Sequence, residues 1–221
     1  MATPKNKLKS NDRQSTPISS NNAGFNSLYV FLDYQGSSFD MVVDFIHKEM
    51  MNNINSREAD TLKQLLNSKN PINFIRACKL WNSLVNHKTK WDYKEKIENT
   101  ISDTRWLYDK ELHKYYNFDI WSNIHYGYIG KYVGFSEWIL LSGAGLAQFF
   151  AGTTPKKLWK RYSKLPGKLM FFAALDDSND QNAIALGFKL WEDFGKNLLK
   201  KDLIKEIHSS YQNLYIKKSK I

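Results

Sequence analysis

The sequence predicts a mainly α-helical, single compact domain behind a disordered basic N-terminal tail. Three observations carry that expectation. Apolar residues recur at helical spacing in successive segments from Val42 onward. No stretch of any length alternates apolar and polar residues with period two. Hydrophobic residues make up 42% of the 221 and aromatics 14%, too much for a disordered chain and enough for a full core.

Residues 1–27 are polar, rich in Lys, Asn and Ser, and hold two prolines, so they read as the disordered tail. Residues 28–216 read as one domain, because no linker divides them, and 217–221 (KKSKI) as a basic tail. Leu28–Tyr34 has strand or turn character. Ser37 and Asp40 have capping-box spacing, and the helix after them carries Val42, Phe45, Ile46 and Met50 on one face. A second helix starts near Arg57 with Leu62, Leu65 and Leu66 inward. Pro71 opens a third, where Phe74, Cys78, Trp81 and Val85 recur at helical intervals. His87–Glu111 is polar and charged around Trp91, Tyr93, Trp106 and Leu107. Tyr115–Gly130 is aromatic and Gly-punctuated, hence irregular at its start.

A helix is expected from Ser136, its N-cap, to Ala151, with Gly152 just beyond its end. Its apolar part, Trp138–Ala151, spans roughly 21 Å as a helix, short of the ~30 Å hydrocarbon core, so it reads as buried rather than membrane-spanning. Pro155–Lys168 is basic with interleaved Trp159 and Tyr162. Leu175–Gly195 becomes a helix capped by Asp177, with Ile184, Phe188 and Trp191 on one face. Asp202–Tyr215 forms the last amphipathic helix.

Thirty-two Lys and Arg against 22 Asp and Glu leave a net charge of +10, which suits a polyanionic partner, RNA or cell-wall polymer. The single cysteine, Cys78, excludes an intrachain disulfide and a Cys-rich zinc site. No apolar segment near the start serves as a classical signal peptide. The Walker, dinucleotide-binding, G-x-S-x-G and H-E-x-x-H patterns are all missing from the sequence.

Candidate chemistry concentrates in Tyr115–Gln148. His125 stands beside Asn123, Tyr126 and Gly127, with Asp119 six residues upstream. An imidazole near a carboxylate is the commonest general base at neutral pH. Glycines 127, 130 and 134 allow close backbone approach. Trp91-Asp92-Tyr93-Lys94 sets a carboxylate and an ammonium two residues apart, although an N-cap Asp with a solvated Lys explains that run as well. Asp176, Asp177 and Asp180 crowd a helix start, where capping accounts for them without a metal. The basic segment 155–164 suits single-stranded nucleic acid or a solvated helix equally.

Three blocks together resemble a known family. WDYK (91–94), FDIWSNIHYGYIGKYVGFSEWILLSGAGLAQ (118–148) and DDSNDQNAIALGFKLWEDFG (176–195) follow the order of the bacterial polymorphic toxin type 44 family. The resemblance implies a mainly helical toxin of interbacterial competition, with ribonuclease as the suggested chemistry and a cognate immunity protein as partner. It also implies secretion machinery for delivery into a target bacterium. The residues it points to are Asp92, Lys94, Asp119, Asn123, His125, Gln148, Asp177 and Asp180. Tyr93 stands where the family motif reads His, so that position is not taken as catalytic.

The expected catalytic set is His125, Asp119, Asp92, Lys94 and Asp180. Asn123, Tyr126, Gln148, Trp121 and Trp91 are expected to bind substrate, with no metal and no cofactor required. In a ribonuclease, His125 activates the 2′-hydroxyl, Lys94 stabilises the phosphorane, and Asp119 or Asp92 orients the base. A metal-dependent variant would use the acidic residues instead. The alternative is a muramidase-like peptidoglycan hydrolase, with paired carboxylates drawn from Asp92, Glu111, Asp119 and Glu137. A pore is disfavoured, because no amphipathic hairpin or spanning segment supports stable membrane insertion.

Overall fold

A computed structural model describes residues 38–99, 105–141 and 178–218. Within them lie eight α-helices and one small sheet. They are α1 (Ser38–Ile54), α2 (Arg57–Asn67), α3 (Pro71–Val85), α4 (Lys94–Glu98), α5 (Asp119–Val133), α6 (Glu137–Leu141), α7 (Ser178–Phe194) and α8 (Lys200–Ser209). Strands β1 (Trp106–Asp109), β2 (Lys114–Asn117) and β3 (Ile216–Lys218) form an antiparallel sheet in that order. The mainly α expectation is met. The tail at 1–27, Leu28–Tyr34, the basic segment 155–168, Gln148, Asp177 and the remainder of the Ser136–Ala151 helix past Leu141 lie outside the described residues.

The first three helices form where the apolar spacing placed them. Ile46 and Met50 are fully buried on α1, Leu62 on α2, and Cys78 and Trp81 on α3. Ser56 caps α2 by accepting from Ala59 N, and Asn70 caps α3 by accepting from Ile72 N.

Helix α5 is the centre of the molecule. Twelve of its fifteen residues are buried, so it is apolar nearly all round. That is why no one-sided stripe marked it, and the stretch read as irregular is in fact β2 followed by this helix. Gly134, at φ +107°, ends it in the left-handed conformation.

Helix α7 lies along α5 in the same direction. Asn123 meets Asp180, Gly127 meets Ile184 and Gly187, and Tyr132 meets Trp191. The backbones touch at Gly127 and Gly187: a Cβ on Gly127 would sit 2.1 Å from the Ile184 carbonyl oxygen, and one on Gly187 2.2 Å from that of Ile124. Only glycine fits at that crossing.

The sheet was not foreseen. Its strands are three or four residues long, too short for alternation to register. The β1–β2 turn lacks glycine; His113 takes the positive φ (52°), and the Asp109 carboxylate accepts from Glu111 N at 2.8 Å. The last helix ends at Ser209 rather than Tyr215, because Asn117 N bonds Tyr215 O and draws the following residues into β3.

Candidate functional site

Parallel packing brings the N-terminal ends of α5 and α7 to one place. Asp119 is the first residue of α5, and its amide donates to Asn117 Oδ1 at 3.0 Å. Its carboxylate lies 3.6 Å from Lys94 Nζ, and both side chains are about one-third exposed. One turn on, Asn123 shares the Asp119 face of the helix. Asn123 Nδ2 donates to Asp180 Oδ1 at 2.7 Å. Asp180 is in the first turn of α7 and is half-buried. Four expected residues, Lys94, Asp119, Asn123 and Asp180, thus stand together at the edge of the fold. One ammonium, two carboxylates and two helix N-termini meet there.

His125 is elsewhere. Its ring is 1% exposed and wedged between the edges of Trp91 (centroids 6.3 Å) and Tyr93 (4.7 Å). Desolvation, aided by the nearby Lys96 charge, pushes its pKa down to about 3. Asn53 Nδ2 lies 2.9 Å from His125 Nε2. An amide N–H facing that nitrogen makes it the acceptor, so the neutral ring carries its proton on Nδ1. Asn53 also donates to the Tyr93 hydroxyl (2.7 Å), which donates to Glu49 Oε2 (2.8 Å). A string of polar groups therefore runs from half-buried Glu49 inward to His125. Burial and the Glu49 charge push the Tyr93 hydroxyl pKa up, so it stays protonated.

The remaining candidates have structural surroundings. Asp92 is buried and accepts from Lys88 N (2.9 Å) and Lys94 N (3.1 Å), so it caps the start of α4. Trp91 and Trp121 are in the core. Tyr126 packs on Trp81 (5.1 Å) and donates to Leu140 O (3.2 Å). Glu111 and Glu137 are exposed at other places in the fold, and Glu137 pairs with Lys131 at 2.7 Å. Among the described residues no three His, Cys, Asp or Glu side chains gather as a metal site, and no helix is long and apolar enough to cross a membrane.

Sequence reasoning passed over Glu49, Asn53 and Ser122. Tyr93 N lies 3.3 Å from Ser122 Oγ. A signal existed: Asn53 falls on the buried stripe of α1, seven residues after Ile46 and three after Met50, where an amide requires partners.

The architecture is a small helical domain whose polar site sits where the buried helix α5 and the amphipathic helix α7 begin. Residues 80–193, just over half of the chain, match the bacterial toxin 44 family (Ntox44), and the chain belongs to that family. The matched span contains the WDYK run, α5 and nearly all of α7, so it covers every residue of the site. No curated protein and no solved structure matches the chain.

Proposed function

We propose that this toxin is a ribonuclease that works from the α5–α7 end with a carboxylate as its base. The observation that carries the reading is an ammonium, Lys94, set beside half-exposed carboxylates where two helices begin. Lys94 and two helix N-termini favour an anion. Phosphodiester cleavage builds negative charge at phosphorus, which such a setting stabilises. Glycoside hydrolysis builds a cationic, oxocarbenium-like sugar, which it opposes. The net charge of +10 adds general attraction for RNA.

Asp180, held by Asn123, takes the proton of the ribose 2′-hydroxyl. The 2′-oxygen attacks phosphorus, the P–O5′ bond breaks, and the 5′-oxygen leaves with a proton taken from water, giving a 2′,3′-cyclic phosphate. Lys94 neutralises the phosphorane, and Asp119, 3.6 Å away, holds the ammonium in place. His125, sealed in the core and neutral, organises the fold around this end instead of exchanging protons with substrate. Gln148, outside the described residues, keeps its proposed place in substrate binding. A cognate immunity protein and a delivery route into a target bacterium follow from the family.

Growth tests the reading. The chain is produced from a tight promoter, once in the cytoplasm and once exported behind a signal peptide. Arrest from the cytoplasm alone is expected. Lysis on export alone overturns the ribonuclease and favours a wall hydrolase built on the same carboxylates.

A further inference from the structure

The sheet has two unlike faces. Leu107 and Tyr116 point inward and are fully buried. The outward positions form two rows across the strands. One row is Tyr108, Tyr115 and Lys217, by register. The other is Trp106, Asn117 and Tyr215, the last joined by the Asn117 N to Tyr215 O bond. Four of these six are aromatic. Trp106 and Tyr215 meet edge to face at 5.2 Å, and Tyr108 and Tyr115 are tilted 41° to each other at 5.0 Å. Lys217 Nζ lies 4.7 Å from the Trp106 ring centre and 5.2 Å from that of Tyr115. Tyr215 and Lys217 are exposed, and Trp106, Tyr108 and Tyr115 are partly so.

We infer that this face is a stacking platform for single-stranded RNA. The inference rests on the ribonuclease reading and deepens it. A sheet face open to solvent is ordinarily polar, whereas aromatic rings there offer flat surfaces to bases, worth about 1–3 kcal/mol per stacked base. Lys217, set among the rings, supplies the cation that a phosphate needs and a neutral sugar does not. The face adjoins the catalytic end: Asn117, buried at the middle of the second row, accepts from the Asp119 amide. A strand lying across the rings therefore runs toward Lys94 and Asp180. Duplex RNA keeps its bases stacked inside and cannot use the rings.

The test measures binding apart from cleavage. A fluorescein-labelled single-stranded oligouridylate is titrated into the full chain carrying Asp180→Asn, with fluorescence anisotropy as the readout. Trp106→Ala and Tyr115→Ala are each expected to weaken binding about ten-fold, and Trp106→Phe to restore most of it. Lys217→Gln is expected to lower the salt dependence by about one phosphate contact. All are surface changes, and unchanged melting temperatures identify folded variants. Unaltered affinity in the ring variants, no binding of the oligonucleotide, or preference for duplex RNA or chitooligosaccharide overturns the platform. The two readings fail separately. If ring variants bind and cleave RNA like the parent, the platform falls and the nuclease stands. If the parent binds RNA through the rings but never cleaves it, the platform stands and the nuclease falls.

Discussion

Replacing Gly187 by alanine sets two effects of opposite sign against each other. In an exposed helix interior the change stabilises by about 1 kcal/mol, because alanine is the better helix former. Here the new Cβ would lie 2.2 Å from Ile124 O, 2.7 Å from Tyr128 N and 2.9 Å from Gly127 Cα. All three are backbone atoms, so no rotamer relieves the clash. Ordinary contact begins near 3.4 Å, so α5 and α7 must part by about 1 Å over their length. Overpacking on that scale costs about 1–3 kcal/mol or more, and it exceeds the propensity gain. A net loss of about 2 kcal/mol lowers the melting temperature by roughly 4–8 °C at this chain size. Urea unfolding followed by circular dichroism gives the same quantity as a shifted midpoint. Gly130→Ala is the control: the atoms nearest its Cβ all belong to the Leu140 side chain (methyls at 2.6 Å), which can move. It is expected to cost less than about 1 kcal/mol. A Gly187→Ala protein as stable as the parent, or more so, refutes the close crossing and with it the placement of Asp180 beside Asn123.

Other outcomes follow from the same geometry. Stability is expected to fall as pH drops from about 6.5 toward 3. His125 has a folded pKa near 3 and an unfolded value of 6.5, so the unfolded chain binds the extra proton in that window. The contribution is at most about 1.4 kcal/mol per pH unit; denaturant midpoints across that range should show it, and His125→Gln should flatten it. His125→Ala leaves a cavity and strips the Asn53 amide of an acceptor, so calorimetry should record a loss of about 2–4 kcal/mol. Tyr93→Phe removes the hydroxyl between Glu49 and Asn53 and should cost about 1–2 kcal/mol in the same measurement. Asp92→Ala removes the acceptor for two amides and should cost about 1–2 kcal/mol while leaving the activity of the folded fraction intact, checked by normalising RNA cleavage to native protein.

Much of the helical frame was legible because amphipathic helices write their period into the sequence. Val42, Ile46 and Met50 on α1, and Cys78 and Trp81 on α3, turned inward as their spacing required. The glycine at 127 marks a point of close backbone approach, but its partner helix was hidden in α7, while Gly130 faces only the Leu140 side chain among its nearest atoms. Helix α5 was illegible for the opposite reason. A helix buried on every side has no stripe, and its aromatic residues resemble those of a strand. The sheet escaped because Tyr115 and Tyr116 are both aromatic yet face opposite ways, and its turn uses His113 where glycine would have given a signal. In the site, the pairing of Lys94 with Asp119 and of Asn123 with Asp180 joins residues 25 and 57 positions apart, which no local pattern encodes. Local pattern singled out His125 for its chemistry; its burial is a tertiary property.

The most direct test of the carboxylate-based ribonuclease compares three proteins on one RNA substrate: the parent chain, Asp180→Asn and Lys94→Met. Each is first shown to be folded by its melting temperature, and the product ends are then identified by mass. The account predicts fragments ending in 2′,3′-cyclic phosphate from the parent, with the rate reduced at least 100-fold in both variants. Full cleavage by Asp180→Asn, or no cleavage by the parent, contradicts it.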